Sequence, residues 1–146
     1  MIVLELPYPP SINRYYRHVG FRTLISREGR AYRSLVCAIL RRAGVRPLSG
    51  TLAVGLDLYP PDSRRRDVDN VQKALLDAMQ HGGMYRDDSQ IKKLLTIMRD
   101  QVVPGGKVII VVLPLELSTI KDIQREIAPE KNSPGRRDAD AGPDQR

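Results

Sequence analysis

The sequence predicts a small single-domain α+β protein, its helices packed on a mixed or antiparallel sheet in the order β-α-β-α-β-β. Three observations carry this prediction. A length of 146 residues suits one domain. Two stretches place apolar residues at helical spacing, and four others run or alternate in strand-forming residues. Prolines and glycines separate these stretches, at Pro7, Pro9 and Pro10, at Pro60-Pro61, at Gly82-Gly83 and at Pro104-Gly105-Gly106.

Residues 2–6 read as a first strand, stopped by Pro7. Residues 11–18 read as a polar, basic and aromatic loop. A helix is predicted over 28–43, with Ala31, Tyr32, Leu35, Val36, Ile39, Leu40 and Ala43 as its apolar stripe, Ser26 as N-cap and Gly44 just past its end. Residues 51–59 alternate, with Leu52, Val54, Leu56 and Leu58 on one face. A second helix runs from about Asp69 to Gln80, with Val71, Ala74, Leu75, Ala78 and Met79 inward. Two strands over 91–98 and 107–113 follow, joined by the Pro104-Gly105-Gly106 turn. The domain is expected to span 1–117. Residues 118–146 form a C-terminal extension in which 120–127 suits a short helix. From about 129 it is poor in apolar residues and expected to be disordered.

The formal charge of +7 lies wholly within residues 1–117, which hold 18 Lys/Arg against 11 Asp/Glu; the extension balances six against six. Such an excess points to a polyanionic partner, nucleic acid first. Cys37 is the one cysteine, so no disulfide forms within the chain, and its place in an apolar helical run suits packing better than nucleophilic chemistry. One cysteine and the scattered His18 and His81 make no zinc ligand set. The opening residues do not read as a secretory leader and no run is long enough to span a membrane, so a cytoplasmic protein is expected.

Chemistry concentrates in Arg64-Arg65-Arg66-Asp67-Val68-Asp69-Asn70-Val71-Gln72-Lys73, followed by Asp77 and by Asp87-Asp88. Carboxylates repel a phosphate backbone unless a cation lies between them, so acidic groups among arginines point to metal-dependent phosphate chemistry. At 100° per residue, Asp69, Lys73 and Asp77 share the helix face opposite the core. The Gly82-Gly83 break is expected to return Asp87 or Asp88 to the helix start, beside Asp67 and Asp69. Lys73 suits a charge developing on phosphate, and Arg64, Arg65 and Arg66 suit flanking phosphates. The competing reading makes Asp69 and Gln72 a capping box, Asp69-Lys73-Asp77 a surface ion-pair ladder and Asp87-Asp88 a turn. It leaves unexplained three arginines at a helix N-terminus, where the dipole disfavours cations. Upstream, Asn13, Arg14, Tyr15, Tyr16, Arg17 and His18 mix cations with rings, as DNA-binding surfaces do. Arg22, Arg27, Arg30 and Arg33 prolong this basic track.

Three stretches resemble the RusA family of Holliday junction resolvases: Leu6-Pro7-Tyr8-Pro9-Pro10-Ser11-Ile12-Asn13-Arg14-Tyr15-Tyr16-Arg17-His18, Ser26-Arg27-Glu28-Gly29-Arg30-Ala31-Tyr32-Arg33, and the arginine-aspartate run through Asp77 and Asp87-Asp88. The likeness covers about residues 2–113; position 8 is Tyr where Trp is familiar, and the tail is longer than expected. The resemblance implies a homodimeric endonuclease dependent on Mg²⁺, with Mn²⁺ a possible substitute, making paired nicks in four-way DNA junctions during recombination and repair. It implies that Asp67, Asp69 and Asp88 are the essential carboxylates and metal ligands, Asp87 being the less favoured of its pair, and that Lys73 is the essential lysine. A two-fold dimer would match a junction whose two equivalent strands are cut. The alternative function is a non-catalytic basic DNA-binding protein with structural aspartates; a metal nuclease acting on RNA or flaps is another rival.

Overall fold

The computed structural model describes residues 1–117, so the short helix expected at 120–127 and the disorder expected from about 129 lie outside the described residues. A short N-terminal strand, β1 (Ile2–Pro7), leads into a single helical turn, α1 (Ile12–Tyr15). A hairpin follows, β2 (Tyr16–Val19) and β3 (Arg22–Ile25), then α2 (Arg27–Arg42), β4 (Leu52–Tyr59), α3 (Asp69–His81), β5 (Ile91–Met98) and β6 (Lys107–Pro114). The main sheet has the order β1-β6-β4-β5, with β4-β5 parallel and the other pairs antiparallel. The mixed α+β architecture is therefore the one expected, but two details differ.

The loop expected at 11–18 is instead α1 followed by a strand of the separate β2-β3 sheet. Its strands are four residues long and largely exposed, so they carry little apolar alternation to read. The second difference concerns β5 and β6. They are consecutive in sequence but not neighbours, because β4 lies between them and pairs with both. Gly105 and Gly106, at φ +78° and +67°, let the connection turn across the sheet end; a Cβ on Gly106 would stand 2.7 Å from Tyr8 Cβ.

The two long helices cover one face of the sheet. Tyr32, Val36 and Leu40 of α2 and Val71, Ala74, Leu75, Ala78 and Met79 of α3 bury against Leu52, Val54, Leu56 and Leu58 of β4 and Val108, Ile110 and Val112 of β6. The other face holds a smaller cluster of Ala53, Val111 and Leu113, which explains why β4, central in the sheet, is buried along nearly its whole length.

The ends of α2 form as its sequence predicts. Ser26 Oγ accepts from Gly29 N at 2.9 Å, an N-cap, and also donates to the Arg14 carbonyl. Past the other end, Gly44 at φ +69° donates to Arg41 O and Val45 donates to Leu40 O, the paired bonds of a Schellman ending. Gly29 is required by packing: a Cβ there would lie 2.3 Å from Tyr15 O. This close approach seats α1 and the hairpin on α2 and so sets where the basic hairpin meets α3.

Candidate active site

The Arg64–Arg66 segment runs into the N-terminus of α3, where Val68, not Asp69, is the N-cap residue, and no side chain caps the helix. The Asp69-Gln72 capping box of the competing reading is absent; Gln72 instead donates to Thr96 Oγ1 on β5 at 2.8 Å. The carboxylates of Asp67 and Asp69 are both exposed, and among the described residues neither takes a hydrogen bond or an ion pair. Asp67 opens into a cleft of about 460 Å³ lined also by Tyr8, Ser11, Arg14, Glu28, Arg66 and Asn70. The cleft thus brings the first and third sequence stretches together, with Glu28 of the second.

The three arginines divide. Arg66 pairs with Asp62 at 2.7 Å, donates to the Asp62 and Arg64 carbonyls, and lies 6.0 Å from the Tyr8 ring centre. It is a brace of the cleft wall rather than the free phosphate grip expected. The hydrogen bond from Arg66, with that from Arg64 N, holds the Asp62 carboxyl down at about 2, so the pair stays ionised at neutral pH. Arg64 points outward with a long 3.9 Å approach to Asp62, and Arg65 is exposed. Arg14 is engaged by Glu28 at 3.0 Å, while Asn13 and Arg17 are exposed.

Tyr15 departs from its expected role. It ends α1 facing inward, fully buried, its ring edge-on to Tyr16 at 4.7 Å and to Tyr32 at 6.5 Å. It is a core residue and cannot stack on a base in this fold. Tyr16 is half-buried, and Lys73 Nζ lies 5.7 Å from its ring centre. Lys73 also pairs with Asp77 Oδ2 at 3.6 Å, so the upper half of the competing reading's ladder exists and the lower half, Asp69 to Lys73, does not.

Asp88 opens a 3-10 turn, Asp88–Gln90. A capping box does form here: Asp87 Oδ1 accepts from Ser89 N at 2.8 Å and Gln90 Oε1 accepts from Asp87 N at 3.1 Å. Asp87 is thereby committed to the turn. Asp88 N donates to Gln80 Oε1 at 3.0 Å, which fixes the turn beside the C-terminal half of α3. There Asp88 approaches Asp77, whose carboxyl is pushed up first by burial and then by the Asp88 charge. Asp69 stands eight residues before Asp77, about 12 Å along the helix. The expected meeting of Asp67, Asp69 and Asp88 therefore does not occur within one chain, and among the described residues no three His, Cys, Asp or Glu side chains are placed to hold a metal. The reason is the length of the return: after Gly83 the chain is stapled to Leu48 through Tyr85 and to Gln80, and never reaches the start of α3.

Four residues outside the set expected from sequence organise these groups. Asp77 sits one helical turn after Lys73 and was legible from that spacing, whereas Asp62 meets Arg66 through a bend outside any helix and was not. Glu28, which pairs with Arg14 across fourteen positions, and Gln80, eight residues before Asp88, have no such local signal.

The family model described as Endodeoxyribonuclease RusA matches residues 7–111. The chain belongs to the RusA family. Its relatives include the crossover junction endodeoxyribonuclease RusA of Escherichia coli K12, 41% identical over 105 residues that cover 71% of this chain and 87% of the relative. That of Shigella sonnei is 42% identical and that of Enterobacteria phage 82 is 41% identical over the same span. The RusA match begins at Pro7 and closes within β6, so it takes in the cleft, the hairpin, α3 and the Asp88 turn. None of the described helices is long and apolar enough to cross a membrane.

Proposed function

We propose that this RusA-family chain is a divalent-metal-dependent endonuclease that nicks four-way DNA junctions as a homodimer. One observation carries the reading: two exposed, unpartnered carboxylates stand two residues apart, Asp67 opening into a cleft lined by Arg14 and Arg66 and Asp69 starting α3, with Lys73 one turn along that helix. Carboxylates left unpaired amid a net positive charge suit an added cation better than a structural role. The donor set fits Mg²⁺, a hard ion commonly held by one or two carboxylates together with substrate phosphate. When bound, such an ion supplies polarisation of the phosphate and activation of water.

The chain's own groups do the rest. Lys73 offers an ammonium to the oxygen on which charge develops, held in place by Asp77 and the Tyr16 ring. Arg64, Arg65 and Arg17 bind flanking phosphates. Asp88 is placed too far along α3 to join Asp67 and Asp69 of its own chain. A two-fold partner would bring its Asp88 to them, which gives dimerisation a chemical purpose as well as a match to junction symmetry.

The test is nicking of four-way, flap, duplex and RNA substrates at equal salt, with and without Mg²⁺. Paired nicks in the four-way substrate alone, dependent on the ion, are expected. Binding without cleavage under any divalent ion would refute the enzymatic reading, and equal cutting of flaps or RNA would refute the substrate.

A further inference from the structure

The β2-β3 hairpin ends in the two-residue turn Gly20-Phe21, with Gly20 at φ +58° and open space around it. Phe21 is the chain's single phenylalanine, and at 112% relative exposure it stands entirely clear of the fold. Side chains alternate along a strand, so Val19 and Arg22 share one face of the hairpin with Arg17 and Leu24. Val19 and Leu24 are exposed as well, at 51% and 40%. The opposite face is occupied: Tyr16 and Ile25 pack on the core and His18 Nδ1 lies 3.2 Å from Thr23 Oγ1. The projecting element therefore has an apolar tip, one apolar strip and two free cations beside it.

We propose that this tip is a wedge that enters a four-way DNA junction and unstacks bases at its branch point. The inference rests on the junction reading above and adds to it the element that opens the branch. Charge selects the occupant. A protein partner burying Val19, Leu24 and Phe21 would also have to neutralise Arg17 and Arg22, whereas DNA offers phosphates to the cations and base faces to the ring. Position agrees. The base of the hairpin abuts the reactive face through Tyr16 and Lys73. The tip lies four strand residues further, about 13 Å away, or about four nucleotide steps at 3.4 Å along one strand. A junction offers its most weakly stacked bases at the branch, where an inserted ring costs least.

The test places 2-aminopurine at the branch point of a four-way junction and reads its fluorescence on saturation with the full chain in Ca²⁺, alongside nicking in Mg²⁺ and sedimentation of the free protein. Wild type is expected to raise the emission several-fold, Phe21→Ala to lose at least half of that rise, and Phe21→Trp to restore it, all three sedimenting alike. An equal rise for Phe21→Ala overturns the wedge, as does a fall in its sedimentation coefficient, which would make the tip an interface between copies. If wild type nicks the junction in Mg²⁺ while either of these holds, the wedge alone has failed; if wild type neither nicks nor brightens, the junction reading has failed with it.

Discussion

Lys73 Nζ lies 3.6 Å from Asp77 Oδ2, one helical turn on, and this pair rather than a pair with Asp69 sets the direction of the ammonium. The Tyr16 ring closes the other side. Both partners act on Lys73 and neither reaches into the cleft. Asp77→Asn and Tyr16→Leu are therefore expected to lower kcat by roughly tenfold with little change in KM, as misplacement of a reacting group does. Tyr16→Phe, which keeps the ring, should be near wild type. Single-turnover nicking of a four-way junction measures this, and a change confined to KM would count against it.

If each site takes Asp67 and Asp69 from one copy and Asp88 from the other, two dead variants should rescue one another. Asp67→Asn and Asp88→Asn are each expected to bind junctions and not nick them. Mixed by unfolding and refolding together, their heterodimers hold one intact site and one doubly defective site. Nicking of single strands should reappear at up to about a quarter of the wild-type site count, half of the dimers being mixed with one live site each. No recovery from a demonstrably mixed population would place each site within one chain.

The arginines should separate by experiment as they do in space. Arg64→Ala and Arg65→Ala are expected to flatten the dependence of log binding constant on log salt by about 0.9 for each phosphate no longer neutralised. Arg66→Ala should leave that slope nearly unchanged and instead release Asp62, whose carboxyl would return from about 2 toward the ordinary aspartate value. The sign follows from the depressed value: the link to Arg66 is intact above the unfolded aspartate range and disappears only as pH falls through about 2. Carbon-detected titration of Asp62 in both forms reads this directly.

Gly29→Ala puts a methyl group 2.3 Å from the Tyr15 carbonyl, a backbone atom that cannot swing aside. We expect a loss of about 1–3 kcal/mol, the usual cost of overpacking. Ser26→Ala should lose about 0.5–2 kcal/mol with its cap. Urea denaturation measures both, and the hairpin should loosen in either variant.

Asp57 is fully buried on β4 and paired with Arg99 Nε, while Asp57 Oδ2 and Arg99 Nη2 lack hydrogen-bond partners. Removing the cation leaves an unpaired buried charge, so Arg99→Met should cost about 3–5 kcal/mol. Adding Asp57→Asn to that variant should recover part of the loss. A double variant less stable than Arg99→Met would show that the charge is not what matters there.

How much could be read in advance depended on the range of the interaction. Both long helices were legible because their stripes repeat locally, and so were Ser26 and Gly44 because caps are short-range. The hairpin was hidden because its strands carry Arg17, His18 and Arg22 outward with no apolar alternation. Tyr15 and Tyr16 look equivalent in sequence, yet one turn of helix sends the first into the core and leaves the second beside Lys73. The D-x-D run pointed to the cleft mouth, but where Asp88 lands depends on how far the chain travels after Gly83. That distance is decided by Leu48, Tyr85 and Gln80, none of them near it in the motif.

The first and last strands of the sheet are hydrogen-bonded to each other from Ile2 against Val112 to Pro7 against Lys107. Until the final strand is made, β1 has no neighbour and β4 lacks one of its two. A chain emerging from the ribosome therefore cannot complete its sheet before about residue 114 is free, and the cleft, lined by Tyr8 after the first strand and by Gly105 before the last, is assembled only then.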